Sequence, residues 1–87
     1  MHPKGSLPME LYYCSYRLFN PNDNKFYQIE YKSHNWLNKT FEATVYQCDQ
    51  KSGERIGDEL YIGIRTAPVT RIKASLLLQE ALKKQTI

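Results

Sequence analysis

The sequence of residues 25–32 is KFYQIEYK, in which large apolar side chains alternate with polar ones. Tyr27, Ile29 and Tyr31 fall on one face, and the residues between them are polar. A period of two residues is typical of a strand that buries one face and exposes the other. This stretch therefore predicts a half-buried β-strand.

Two later stretches alternate in the same way, TFEATVYQC at residues 40–48 and DELYIGIRT at residues 58–66. The side chains that share a face are Phe41, Ala43 and Val45 in the first stretch and Leu60, Ile62 and Ile64 in the second. Between them lies Asp49–Gly57, a polar segment with two glycines that is typical of a long hairpin loop. The pattern predicts three antiparallel strands.

A helix is predicted after Pro68, beginning at Thr70 as the N-cap and ending near Lys84. Its apolar face has the spacing i, i+3, i+4 and i+7. That face consists of Ala74, Leu77, Leu78 and Ala81. Ile72 and Leu76 project from the other side, so either residues 7–19 cover them or they form a contact surface for another chain.

Residues 7–19 fit two structures. Leu7, Leu11, Cys14 and Leu18 have helical spacing, whereas the tyrosine-rich segment 12–16 favours a strand. The polar segment 20–24, NPNDN, predicts a turn where a hairpin needs one, which favours the strand. The predicted fold is α+β: a three- or four-stranded antiparallel sheet with a C-terminal helix packed on one face.

Length and charge suggest one small domain with a basic end. The 87 residues allow one domain, predicted at 9–87 after a flexible leader at 1–8. The net charge is +3, and residues 65–87 carry five basic groups and one acidic group. No apolar run is long enough to span a membrane and no signal peptide is visible, so we expect an intracellular protein, cytoplasmic or nuclear.

Residues for catalysis or metal binding are few. The sequence has two histidines and two cysteines and lacks the short spacings of zinc sites, so a zinc site would need Cys14, Cys48 and His34 together. Cys14 and Cys48 are more simply explained as small core residues. The glycines match no phosphate-binding or dinucleotide motif. We therefore predict no catalytic residues, no metal and no cofactor.

Two segments are typical of nucleic-acid contacts. One is the loop KSHNWLNK at 32–39, in which His34, Trp36 and Lys39 combine aromatic and basic groups. The simpler interpretation of Trp36 is that it folds back with Leu37 to plug the edge of the core. The other is the helix start, where Arg71 and Lys73 lie beside free backbone N–H groups. Lys83 and Lys84 add positive charge at the other end of the helix.

The segment Thr70-Arg71-Ile72-Lys73-Ala74, followed by Leu78 and Ala81-Leu82, resembles the last helix of the double-stranded RNA-binding domain family. The spacing of Tyr27 and Phe41 is similar to that of aromatic residues in its first two strands, so the resemblance covers residues 26–84. It implies that Arg71 and Lys73 hold RNA phosphates. Ile72 stands at one of the family's lysine positions, and a strand at 7–19 would replace the family's first helix.

These observations leave three binding functions open. The first is double-stranded RNA binding through the residues above. The second is a protein partner or homodimer that uses Ile72 and Leu76, or a strand added at the sheet edge near residues 12–18. The third is single-stranded nucleic acid stacked on exposed tyrosines such as Tyr46 and Tyr61.

Overall fold

The fold is a four-stranded antiparallel sheet followed by one helix. A computed structural model describes residues 13–35, 37 and 39–85. The strands follow one another across the sheet in the order β1-β2-β3-β4. The elements are β1 (Tyr13–Asn20), β2 (Lys25–Asn35), β3 (Thr40–Cys48), β4 (Tyr61–Thr66) and α1 (Arg71–Gln85). The predicted α+β class is confirmed, with the four-stranded form of the sheet.

Residues 13–19 form a strand, as the turn at residues 20–24 favoured. Asn24 has φ 60°, and its N–H donates to the carbonyl of Asn20 at 2.9 Å. Asparagine tolerates this left-handed conformation, so the chain reverses here and Asn20 pairs with Lys25. Residues 7–12 and the predicted leader at 1–8 lie outside the described residues.

The core lies between α1 and one face of the sheet. Ile29 and Val45 are completely buried there, and they are cross-strand neighbours. Burying a side chain of this size contributes roughly 1.5–3 kcal/mol to stability. The other buried members are Tyr27, Tyr31, Phe41, Ala43, Ala74, Leu77, Leu78 and Ala81. Every one of them lies on a face that the sequence pattern predicted.

The last strand differs from the prediction in two ways. It begins at Tyr61 rather than at residue 58, so the preceding connection runs through residues 49–60 with one isolated bridge, Cys48 to Arg55. Ile62 and Ile64 share a face as predicted, but Leu60 precedes the strand and packs against the core instead. Ile62 and Ile64 point away from α1, because they pair with Thr44 and Glu42 on the side of the sheet that carries no helix.

Candidate nucleic-acid interface

The start of α1 is a capped, positively charged helix end. The hydroxyl of Thr70 accepts from the Lys73 N–H at 3.1 Å, and the Thr70 carbonyl accepts from the Ala74 N–H at 3.0 Å. Thr70 is therefore the N-cap that the sequence predicted. The first turn contains no acidic residue, and the side chains of Arg71 and Lys73 are exposed.

The hairpin between β2 and β3 lies beside the connection that leads into α1. The N–H of Ala67, directly after β4 and four residues before α1, donates to the carbonyl of Lys39 in the hairpin at 2.9 Å. Thr40 at the start of β3 also pairs with Thr66 at the end of β4. The same end of the sheet therefore carries the hairpin and the connection that leads into α1.

The predicted loop residues belong to this hairpin. His34 is exposed, with its Nδ1 atom 3.3 Å from the Thr40 hydroxyl, which in turn donates to the Asn35 carbonyl at 3.3 Å. Lys39 is exposed and has φ 54°. His34 and Lys39 thus lie at the end of the sheet from which the chain leads into α1, with His34 beside Thr40 on the face that carries no helix. Arg71 lies on the other face, where its charge acts on Tyr16 of β1. Trp36 lies outside the described residues.

Lys83 and Lys84 are not part of this cluster. With a rise of about 1.5 Å per residue, they lie roughly 15–17 Å along the helix from Lys73. The Lys84 ammonium sits 5.8 Å from the centre of the Tyr61 ring, at the beginning of β4. These two lysines can add attraction for a long polyanion, but they cannot share one phosphate with Arg71 or Lys73.

A groove of about 250 Å³ runs between β4 and α1 and contains a basic residue that sequence reasoning missed. It is lined by Tyr31, Arg65, Thr66, Pro68, Lys73, Leu76, Leu77 and Glu80. Arg65 contacts the Glu80 carboxylate at 3.2 Å, and its guanidinium lies 5.2 Å from the Tyr61 ring centre. Its Nε atom is buried without a hydrogen-bond partner in the described part of the chain. In the sequence, Arg65 follows Ile64, and this alternation indicates that its side chain lies on the opposite face of the strand, which is the side of α1.

The second predicted surface is also exposed. Ile72 is 74% exposed and Leu76 is 55% exposed. Residues 13–20, which could have covered them as a helix, form β1 instead. Leu76 lines the groove together with Lys73, so the apolar and basic features of α1 meet along this groove.

The tyrosines expected to stack single-stranded nucleic acid do not form an open platform. Tyr46 is buried, with the Arg55 guanidinium 5.8 Å from its ring centre. Its hydroxyl donates to Glu30 at 2.6 Å, and burial together with this carboxylate raises its pKa well above the usual value. Tyr61 lies half-buried on the side of α1, beneath Arg65 and Lys84. The expectation that Tyr46 is exposed is therefore wrong, whereas Tyr61 is partly exposed.

Metal-binding side chains are dispersed. Cys14 pairs with Tyr31 on the side of α1, whereas Cys48 points to the other side of the sheet, so the two cannot join His34 in one zinc site. Nowhere in the described residues do three or more His, Cys, Asp or Glu side chains gather as a metal site would require. No helix in the described part of the chain has both the length and the apolar character needed to cross a membrane.

Comparison with known proteins found no significant match. The sequence matches no protein-family model. It also has no significant match among curated proteins, and the fold has none among solved structures.

Proposed function

We propose that this chain is a non-catalytic binding module that contacts double-stranded RNA through the start of α1 and the β2–β3 hairpin. The observation that supports the proposal is the hydrogen bond from Ala67 to Lys39, which joins the hairpin to the connection leading into α1. Four of the residues selected from the sequence belong to the hairpin or to the first turn of α1: His34, Lys39, Arg71 and Lys73.

The chemistry of this end suits a phosphate backbone. Arg71 and Lys73 place cations beside free N–H groups of the first helical turn, and both attract anions. No ion pair within the described residues neutralises either side chain, whereas Arg65 in the neighbouring groove is paired with Glu80. Lys39 adds a third cation across the hairpin. Phosphate contacts of this kind supply most of the affinity of a module that does not read sequence.

The order of elements supports duplex RNA in particular. Strands β2, β3 and β4 followed by α1 give the three strands and helix that the resemblance to the double-stranded RNA-binding domain implies. That family recognises the shape of an A-form duplex through phosphate and 2′-hydroxyl contacts. Residues 13–20 form β1 rather than a helix, so in this proposal His34 and the hairpin make the groove contacts.

The test is a titration of labelled RNA duplex of about 20 base pairs, long enough for one module, followed by fluorescence anisotropy. Single-stranded RNA and DNA duplex of the same sequence serve as competitors. The proposal predicts binding to the RNA duplex that weakens steeply with salt, because bound counterions are released. Equal binding to the DNA duplex would show that the module does not recognise the A-form.

A protein-contact function is the second candidate, and the exposure of Ile72 and Leu76 favours it. Apolar side chains that protrude from a helix are typical of contact surfaces. A partner held there should be lost on Leu76→Asp, should persist in high salt, and should survive Gln79→Asp, a control at an exposed polar position of the same helix. Unchanged association after Leu76→Asp would remove the main support for this candidate.

A further inference from the structure

The outer edge of β4 is open. β4 is the last strand of the sheet, and no strand among residues 13–35, 37 and 39–85 pairs with its outer side. On the face without a helix it presents Ile62, 53% exposed, and Ile64, 49% exposed. An apolar edge strand is a template for pairing with another chain. The opposite edge, β1, also exposes Tyr13 and Phe19 on this face, but it carries the charged side chain of Arg17 between them.

We propose that the partner of this edge is β4 of a second copy, paired antiparallel with Gly63 opposite Gly63. The five residues Tyr61-Ile62-Gly63-Ile64-Arg65 are complementary to themselves in this register. Ile62 of each copy lies opposite Ile64 of the other, and Tyr61 lies opposite Arg65. Apolar pairs and aromatic–cation pairs are both favourable across neighbouring strands.

The side chains around Gly63 fit this arrangement. Within one chain the Tyr61 hydroxyl lies directly over Gly63, and the Arg65 guanidinium sits 5.2 Å from the Tyr61 ring centre. Rings and guanidinium groups from both copies therefore gather above the two-fold axis, on the side of α1. Below the axis, the four isoleucine side chains form one apolar cluster and lose their contact with water.

The side chains of β4 itself favour the antiparallel direction. Antiparallel pairing places the Arg65 cation of one copy opposite the Tyr61 ring of the other, whereas in-register parallel pairing would place the two Arg65 cations opposite each other. The product is a continuous eight-stranded sheet with both copies of α1 on the same side. This inference does not depend on RNA binding.

The first experiment measures the mass of the full chain in solution by light scattering after size exclusion, over a range of concentrations. The wild type should have twice the mass of one chain, and Ile64→Lys should have the mass of one chain. Lysine at this position lies beside Glu42 in the same sheet, so the fold is kept. Ile56→Lys, which changes an exposed isoleucine in the connection of residues 49–60, is the matched control and should stay dimeric.

The second experiment tests the register. Ile62→Cys mixed with Ile64→Cys should give a disulfide-linked dimer under mild oxidation. Each variant alone should not, because identical residues lie on a diagonal of about 7–8 Å, too far for a disulfide. The wild type controls for Cys14 and Cys48. A monomeric wild type, a dimeric Ile64→Lys, or equal crosslinking of each variant with itself would overturn the proposal.

Discussion

The backbone N–H of Ala67 donates to the carbonyl of Lys39 at 2.9 Å, across a gap of 28 residues in the chain. This bond fixes the connection between β4 and α1 against the β2–β3 hairpin. The two segments come from different parts of the sequence, and each carries basic side chains. In the proposed function, one rigid polyanion contacts both segments.

The cap of α1 should contribute measurably to stability. The Thr70 hydroxyl accepts from the Lys73 N–H, so Thr70→Ala leaves that donor without its partner in the protein. We expect the free energy of unfolding to fall by about 1 kcal/mol. Urea denaturation followed by circular dichroism measures this change. Thr70→Ser keeps the hydroxyl and should retain most of the stability; an equal loss in both variants would contradict the assignment of the cap.

Substitution of two neighbouring leucines on α1 should lower the free energy of unfolding by very different amounts. Leu77 is buried against the sheet, whereas Leu76 is 55% exposed beside it. Leu77→Ala should lower the free energy of unfolding by about 2–5 kcal/mol through lost burial and a cavity. Leu76→Ala should change it by less than about 1 kcal/mol. The same denaturation experiment compares the two, and similar losses would mean that α1 is rotated relative to the described packing.

Tyr27 should make the fold sensitive to alkaline pH. Burial, and then the Asp23 carboxylate to which its hydroxyl donates at 2.5 Å, raise the pKa of Tyr27 to about 12 from 10.0. The folded state therefore favours the neutral phenol. This contribution is complete below pH 10 and is lost as the pH rises from 10 towards 12, since the unfolded chain releases its proton first.

The measurement is the free energy of unfolding against pH for the wild type and for Tyr27→Phe. Between pH 10 and 12 the wild type should lose stability more steeply, by on the order of 1 kcal/mol. Other tyrosines with raised pKa values, such as Tyr46, affect both proteins equally. Parallel curves would show that Tyr27 ionises freely in the folded state.

The alternation of single residues was sufficient to predict the core. Ile29, Val45 and Leu77 are buried because the periods of strand and helix place them on one face, and the period can be read within each segment. The direction in which Ile62 and Ile64 point could not be read in this way. It depends on their pairing with Thr44 and Glu42, which is a property of the assembled sheet.

The candidate interface likewise contains residues that a local sequence pattern indicates and residues whose contacts depend on the assembled fold. Arg71 and Lys73 could be selected from the sequence, because a cap and neighbouring cations form a local signal. Arg65 was missed because its importance comes from Glu80 and Tyr61, which only the packed helix brings to it. The proximity of Lys39 to Ala67, in the connection that leads into α1, likewise depends on the order of strands rather than on any motif.

The most direct test of the proposed function removes the two cations at the start of α1. Arg71→Ala with Lys73→Ala should weaken binding to the RNA duplex by about tenfold or more, and should reduce the salt dependence by about one ion per lost contact. Lys51→Ala is the matched control, since Lys51 is exposed in the connection of residues 49–60 at the opposite end of the sheet.

The deciding measurement is therefore the anisotropy titration of these variants against the same RNA duplex at two salt concentrations. The account predicts tight, salt-sensitive binding for the wild type and for Lys51→Ala, and a clear loss for the double variant. Absence of duplex binding by the wild type at low salt, or equal affinity of the wild type and the double variant, would contradict it.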